Sequence, residues 1–161
     1  MPIARPTIRP VGPADGEAIA AFNRRAILAT SRSFYTAEEL ESWAGILHPE
    51  RYASAVQEGG VFEVAVDEHG TPIAFCHWRE DAVLGLYVDP EFQRHGLGGL
   101  LLRRAEAAIG GSGHQRIGVK ASISAVPFYE RHGYHVISKV EHATRGGLSL
   151  AAAELEKPIG I

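Results

Sequence analysis

The sequence predicts an α/β domain built as a mixed sheet of about seven strands covered by helices, spanning residues 1–161. Strand-like and helix-like segments alternate along the whole chain, which is the order of a sheet with helices packed on it. Three strand-like segments also follow one another closely between residues 61 and 88, separated only by short turns. The length of 161 residues, with 45% apolar and 22% charged residues, suits one folded unit with an ordinary core.

The first third of the chain predicts one strand and three helices. Ile19, Phe22 and Ala26 have the spacing of one helical face. Thr36 is a typical N-cap, and Glu39 three residues later completes a capping box. The predicted elements are a strand at Thr7–Val11, a helix that begins at Pro13 to Asp15, a helix that ends at Trp43, and a helix over Pro49–Gln57.

The rest of the chain predicts six strands and two helices. Short turns at Glu68-His-Gly70 and Glu80-Asp81 separate the first three strands, and Gly133 is a typical C-cap. The strands are Val61–Asp67, Ile73–Arg79, Ala82–Val88, Arg116–Ala121, Tyr134–Val140 and Leu148–Glu156. The helices are one from Leu97 to the glycines at 110–113, burying Leu97, Leu101, Ala105 and Ala108, and one over Ser124–His132.

A glycine-rich turn follows the strand that ends at Val88 and opens directly onto the helix that begins at Leu97. The start of a helix presents unpaired backbone N–H groups and a partial positive charge, so it favours a phosphate or pyrophosphate. Glycines without Cβ atoms allow an anion to approach the backbone closely. The residues expected to form this anion site are Gln93, Arg94, His95, Gly96, Leu97, Gly98 and Gly99.

Two common nucleotide motifs do not fit this turn. The dinucleotide fingerprint requires a third glycine where this chain has Leu101. The phosphate loop of nucleoside triphosphatases requires a Gly-Lys pair, and none of the three lysines (Lys120, Lys139, Lys157) follows a glycine.

Gln93-x-x-Gly96-x-Gly98 instead resembles the acyl-CoA signature of the GNAT superfamily of N-acetyltransferases. The segment from Ala125 to Tyr134 resembles the Ala-x-x-Phe-Tyr-x-x-x-Gly-Phe/Tyr segment of the same family, one helix and one strand further on. The stretch from Phe34 to Ala44 is similar to a segment of the small bacterial YafP-like branch.

The resemblance implies an acetyl-CoA-dependent transfer of an acetyl group to an amine of a small molecule or peptide, without a metal. It also implies a V-shaped splay between two central parallel strands that admits the pantetheine arm, and Gly85 marks a candidate bulge there. Ser122 stands where many relatives carry a cofactor-contacting asparagine. Besides the glycine turn, the residues expected to contact the cofactor are Leu86, Tyr87, Val88, Ser122 and Phe128.

The family's catalytic tyrosine corresponds to Tyr129, the expected proton donor to the departing thiolate. The strand that often supplies a glutamate base has no carboxylate here, so the base candidates are His77, Glu80, Asp81 and Tyr87. We take His77 first because imidazole titrates near neutral pH. An acceptor amine of low pKa needs no strong base. Cys76 points to the opposite sheet face from His77, so a Cys-His pair is excluded.

Three aromatic residues, Phe34, Tyr35 and Trp43, come from the region that forms the acceptor side of the cleft in this family. Two interpretations remain open at this stage. The aromatic side chains either line a pocket for a flat or apolar amine, or they seal the helical cap over the sheet.

Charge and cysteine content limit the partners. A net charge of −3 and a pI near 6.2 argue against a nucleic-acid or anionic-membrane binder, and no apolar run reaches the length of a membrane span. The single cysteine and the absence of an apolar leader segment favour a cytoplasmic protein. The eight histidines show no metal-ligand spacing. A homodimer, a CoA-binding sensor without turnover, and a toxin that acetylates aminoacyl-tRNA stay open as alternatives, the last disfavoured by the acidic pI.

Overall fold

The computed structural model describes residues 5–160, which form seven strands and five α-helices. The strands are β1 (Thr7–Pro10), β2 (Val61–Val66), β3 (Pro72–Arg79), β4 (Ala82–Val88), β5 (Arg116–Ser122), β6 (His135–Ala143) and β7 (Ser149–Pro158). The helices are α1 (Gly16–Leu28), α2 (Ala37–Ala44), α3 (Arg51–Gln57), α4 (Leu97–Gly111) and α5 (Val126–Arg131). In this part of the chain, no helix combines the length and the apolar character that crossing a bilayer requires.

All seven strands form one sheet in the order β1-β2-β3-β4-β5-β7-β6. Neighbouring strands are antiparallel except β4 and β5, which are parallel. The predicted mixed sheet of about seven strands covered by helices is therefore confirmed.

The two parallel strands separate soon after they meet. β4 and β5 pair only at Ala82–Gly118 and Val83–Val119. Beyond Val83 the register between β3 and β4 shifts by one residue, so that His77 pairs with Gly85 and Leu84 is left over as a bulge. A bulge bends its strand, and the remainder of β4 lies open toward β5. The predicted splay and the predicted bulge beside Gly85 are both confirmed.

The sheet carries a hydrophobic core on each face. α4 and α5 cover one face, where Cys76, Leu101 and Tyr129 belong to the same buried cluster. α1 and α3 cover the other face, where Ile19, Phe22 and Phe75 are buried together. Cys76 and His77 thus lie on opposite faces, as strand alternation predicts.

Several local predictions can be compared directly with the structure. The capping box of α2 is present, with Glu39 N donating to Thr36 Oγ1 over 3.1 Å. Gly133, at φ 92°, follows α5 in the left-handed conformation expected after a helix. The prediction that Ala108 is buried is wrong, because Ile109 occupies the inward position and Ala108 is exposed. α5 is also shorter than predicted, since a 3₁₀ turn at Ile123–Ala125 replaces its first residues.

The loop between β6 and β7 is fixed to α2 by buried polar contacts. Ser42 Oγ lies 2.6 Å from Thr144 Oγ1, and Gly146 N donates to the Ser42 carbonyl oxygen over 2.8 Å. A Cβ at Gly146 would approach Ser42 Cα to 2.8 Å, so only glycine permits this contact. The loop, including Arg145, is therefore held against the helical cap.

Candidate active site

Asp89, at the start of the glycine turn between β4 and α4, makes contacts through both of its carboxylate oxygens. Its Oδ1 accepts the Glu91 N–H at 3.1 Å, and its Oδ2 pairs with Arg25 at 2.8 Å. Arg94 (φ 67°) and Gly96 (φ 81°) both adopt the left-handed conformation, which curls the chain before α4 begins. Arg94 is one of the two non-glycine residues with positive φ in the described chain, and such conformations concentrate at functional sites.

The amide N–H groups of this turn are without an acceptor among residues 5–160. From Gln93 to Gly99, none of the seven backbone N–H groups donates to an atom in the described part of the chain, and the first helical bond runs from Leu100 N to Gly96 O. A concave row of free N–H groups at a helix start attracts an anion. This geometry fits a pyrophosphate, as the sequence predicts.

The glycines leave space where other side chains converge on the turn. A Cβ at Gly98 would lie 3.4 Å from the Phe128 ring, and one at Gly99 would lie 3.0 Å from His132 Nε2 and 3.2 Å from Arg103 Nη1. His132 and Arg103 were not among the sequence-predicted site residues. His132 comes from a helix some thirty residues away, and nothing in the sequence indicates that it meets this turn.

One edge of β4 faces the gap toward β5. Asp89 N donates to Ile73 O of β3 over 2.8 Å, and N–H groups alternate in direction along a strand. The N–H groups of Leu86 and Val88 therefore point into the gap, and the Gln93 side chain reaches the Val88 carbonyl oxygen from that side at 3.2 Å. The prediction that the Tyr87 backbone also contacts the cofactor does not fit, because its N–H faces β3.

The gap opens into a cleft of about 910 Å³ on the α1–α3 side of the sheet. Its walls come from α1, α2 and α3, from β2 to β7, and from the β6–β7 loop. Ser122 lines it at the end of β5, with its hydroxyl 2.9 Å from that of Ser124. Aromatic side chains provide much of the wall, namely Tyr35, Trp43, Tyr52, Phe62, Phe75 and Tyr87.

The three aromatics predicted to contact the acceptor are placed differently. Trp43 and Tyr35 line the cleft and pack edge to face at 5.8 Å. The Tyr35 hydroxyl also donates to Ala151 O at 2.7 Å and accepts from Ile123 N at 2.8 Å, so it fastens the helical cap to the sheet. Phe34 is 46% exposed and is not part of the cleft wall, so its position does not support the predicted contact.

His77 is the base candidate that the structure places in the cleft with an available ring. Its imidazole stacks on Phe62 at 5.3 Å and makes no hydrogen bond within residues 5–160. A Cβ at Gly60 would lie 2.6 Å from Nε2, so the glycine makes room for the ring. Burial lowers the pKa of His77, and the charges of Arg79 and Arg51 act in the same direction. The ring is therefore neutral at pH 7 and can accept a proton.

The other candidates for the general base differ in whether they line the cleft. Glu80 and Asp81 occupy the β3–β4 turn and do not line the cleft. Tyr87 lines it, but burial raises the pKa of its phenol. Glu58 lines the cleft at the end of α3, a residue that sequence reasoning missed. Across the described residues, no three His, Cys, Asp or Glu side chains are grouped as a metal site.

Tyr129 is buried in the α4-side core, 5% exposed. Its ring packs on Phe128 and Tyr134 at 5.1 and 5.5 Å, while its hydroxyl makes no hydrogen bond within the described chain. Burial raises the pKa of Tyr129 well above its usual value, and Cys76 and Tyr87 add to the effect. The phenol is therefore fully protonated at neutral pH, and its proton is not engaged by a protein acceptor.

Cys76 does not act as a nucleophile. The thiol is fully buried, and burial raises its pKa to about 12. Because the thiolate is the reactive form, we expect no labelling of native protein by a thiol reagent such as Ellman's reagent at pH 8. One thiol per chain should react after unfolding in guanidinium. Rapid labelling of the folded protein would contradict this burial.

Comparison with known proteins agrees with this geometry. Residues 32–152 match the family described as "Acetyltransferase (GNAT) domain". The chain is similar to the uncharacterized N-acetyltransferase YafP of Escherichia coli (strain K12), with 27% identity over 139 residues, 86% of this chain and 87% of YafP.

Solved structures share the fold over nearly the whole chain. A GCN5-related N-acetyltransferase from Rhodopseudomonas palustris superposes with a TM-score of 0.87 at 26% identity, covering 98% of both chains. The PaiA N-acetyltransferase from Thermoplasma acidophilum, solved with coenzyme A, has a TM-score of 0.76 at 21% identity, covering 96% of this chain and 99% of PaiA. The chain belongs to the GNAT family of acetyltransferases, and its activity is that of an N-acetyltransferase.

Proposed function

We propose that this chain transfers an acetyl group directly from acetyl-CoA to the amine of a small molecule held in the aromatic cleft. The observation that carries the proposal is the row of seven amide N–H groups, from Gln93 to Gly99, that have no acceptor in residues 5–160. This row follows the end of β4, and residues of β4 and β5 line the cleft. A thiol-release assay with acetyl-CoA and a panel of amines tests it. Amine-dependent release is expected, and tight CoA binding without release would instead indicate a sensor.

In the proposed arrangement, the turn from Gln93 to Gly99 binds the pyrophosphate through its amides, and Arg103 and His132 add side-chain contacts. Of the N–H groups of Leu86 and Val88, one donates to the pantetheine arm and the other to the thioester oxygen, on which negative charge develops during transfer. The bound thioester supplies an activated acyl carbon. The contacts of Ser122 and Phe128 with the pantetheine arm belong to the same proposal.

Proton movements follow from the two titratable side chains. The acceptor amine forms a C–N bond to the acyl carbon while the C–S bond breaks. His77 takes the proton that the amine loses, directly or through water, because its ring is neutral and its nitrogens are free. Tyr129 gives its phenolic proton to the departing sulfur, since a protonated, unengaged hydroxyl is the required donor.

The pH dependence of kcat/KM tests the role of His77. Because the pKa of His77 is lowered below its usual value near 6.5, activity should be constant near pH 7 and fall as the pH drops below about 6.5. The profile is measured with an arylamine acceptor of low pKa, because this substrate stays unprotonated over the pH range and the acidic limb then reports the enzyme. His77→Gln should lower kcat/KM by about 100-fold and remove this acidic limb.

The matched control for this prediction is His69→Gln, an exposed histidine in the β2–β3 turn. It should keep both the activity and the acidic limb. If His77→Gln retains the limb unchanged, the base is another group, and the proposal for His77 fails.

A further inference from the structure

The acceptor cleft contains two arginine side chains, one from α3 and one from the β6–β7 loop. Arg51 and Arg145 both line the cleft, yet neither is within ion-pair distance of an Asp or Glu in residues 5–160. Outside the cleft, Arg9, Arg25 and Arg104 are paired at 2.8–2.9 Å, whereas Arg32, Arg79 and Arg103 have no ion pair among the described residues either.

Arg145 is held in place from the opposite side. Its Nη1 donates to the Trp43 carbonyl oxygen at 2.7 Å, and its Cβ lies where a side chain at Gly45 would be, 2.5 Å from an added Cβ. The docked β6–β7 loop fixes its backbone through Ser42. Since a guanidinium carries five N–H donors and one is used, most of the donors remain available to a ligand.

Arg51 completes the cluster from α3. Its guanidinium carbon lies 5.7 Å from the centre of the Tyr52 ring, a cation–π distance. Arg51 and Arg145 line the same cleft. Partial burial lowers the pKa of Arg145, and the charge of Arg51 acts in the same direction. Two like charges held together without an anion are unfavourable, so the arrangement favours a bound anion.

The remaining polar groups of the cleft suit an amine on the same molecule. The fully buried Asn23 lines the cleft, and its Oδ1 accepts no hydrogen bond within the described residues. Three glutamates also line the cleft, and none of them forms an ion pair with Arg51 or Arg145 among the described residues. Glu156 is paired with Arg116 at 3.2 Å instead. The glutamates that line the cleft are Glu58, Glu154 and Glu156.

We propose that the acceptor is an amine that also carries a carboxylate, as in a free amino acid with an apolar or aromatic side chain, and that Arg51 and Arg145 bind this carboxylate. This inference rests on the proposed function and narrows its substrate class. Planar guanidinium groups bind carboxylates in pairs of parallel hydrogen bonds, and the aromatic walls take up the apolar side chain. A peptide N-terminus lacks an adjacent carboxylate and is disfavoured.

Matched pairs of amines test the proposal. Phenylalanine, tryptophan and leucine are compared with phenethylamine, tryptamine and isoamylamine, which lack only the carboxylate, and with the corresponding amino acid amides. The carboxylate-bearing member of a pair should have the higher kcat/KM. Arg51→Gln and Arg145→Gln should each lower its kcat/KM by about 10- to 100-fold, while the values for the simple amines stay unchanged. Arg32→Gln, an exposed loop arginine outside the cleft, serves as the control.

A binding measurement separates failure of this inference from failure of the proposed function. Trp43 lies in the cleft, so its fluorescence reports binding of the phenylalanine and leucine pairs without turnover, and isothermal titration calorimetry measures binding of the indole pair. Carboxylate-dependent binding that is lost in both arginine variants, but without thiol release, would keep the inference and refute the acetyl transfer. Three results would overturn the inference. Both members of every pair could bind and turn over equally, the variants could affect both members equally, or no member of any pair could bind.

Discussion

Gly98→Glu is expected to abolish coenzyme A binding while leaving the protein folded. The new carboxylate would lie in the row of free amides at the start of α4 and compete with the pyrophosphate for the same donors. A Cβ at this position already lies 3.4 Å from the Phe128 ring. Repulsion and blocked access together should weaken CoA binding by more than about 100-fold, measured by isothermal titration calorimetry.

The helix itself should tolerate this change. An acidic side chain in the first turn of a helix interacts favourably with the helix dipole, so the melting temperature should change little. Gly111→Glu is the matched control, because it lies at the other end of α4 with no atom within 4 Å of an added Cβ. This control should bind CoA as the unchanged protein does. Normal binding by Gly98→Glu would refute the anion site.

Tyr129→Phe should lower kcat by between about 100- and 10,000-fold, the range for loss of a general acid. The hydroxyl makes no hydrogen bond within the described chain, so the variant should retain its stability and its affinity for CoA. Steady-state kinetics with acetyl-CoA and calorimetry with CoA measure the two properties separately. The effect should therefore appear in turnover alone.

Tyr134→Phe should have the opposite effect, with a lower stability and an unchanged turnover. The Tyr134 hydroxyl donates to Glu106 Oε2 at 2.9 Å, and Lys157 binds the same oxygen at 3.0 Å. Removing that hydroxyl should lower the free energy of unfolding by about 1–3 kcal/mol, since the bond is to a charged group, while turnover at 25 °C is retained. If Tyr129→Phe keeps full turnover, Tyr129 is not the acid.

The fold could be predicted from the sequence because its signals are local. Strand alternation, the capping box at Thr36 and Glu39, and the glycines at 96–99 each act over a few residues, and each placed an element correctly. The prediction continued the helical face of Leu101 and Ala105 to Ala108. In the structure the next residue, Ile109, meets the core instead. The ends of β6 and β7 depend on their pairing with neighbouring strands, which local patterns do not specify. The start of α5 differs from the prediction because a 3₁₀ turn precedes the helix.

The site was predictable only where a motif carries it. The glycine turn and Tyr129 belong to such segments. The structure places the turn at the end of β4 and Tyr129 in the α4-side core, and the catalytic role of Tyr129 stays a prediction. Arg51, Arg145, Asn23 and Glu58 line the cleft from three separate segments, namely α1, α3 with its C-cap, and the β6–β7 loop, and no motif in the sequence links these segments. Phe34 lies outside the cleft wall and the Tyr87 N–H faces β3, so neither position supports the predicted contact. The direction of a side chain or an N–H group depends on the exact register, which the sequence pattern leaves open.

The most direct test of the account is a crystal structure of the protein with bound coenzyme A. It should show the pyrophosphate within hydrogen-bond distance of the backbone N–H groups between Arg94 and Gly99. The pantetheine arm should lie against Leu86 and Val88 in the gap between β4 and β5, with the sulfur near the Tyr129 hydroxyl. Coenzyme A bound at another surface, with these amides still free, would contradict it.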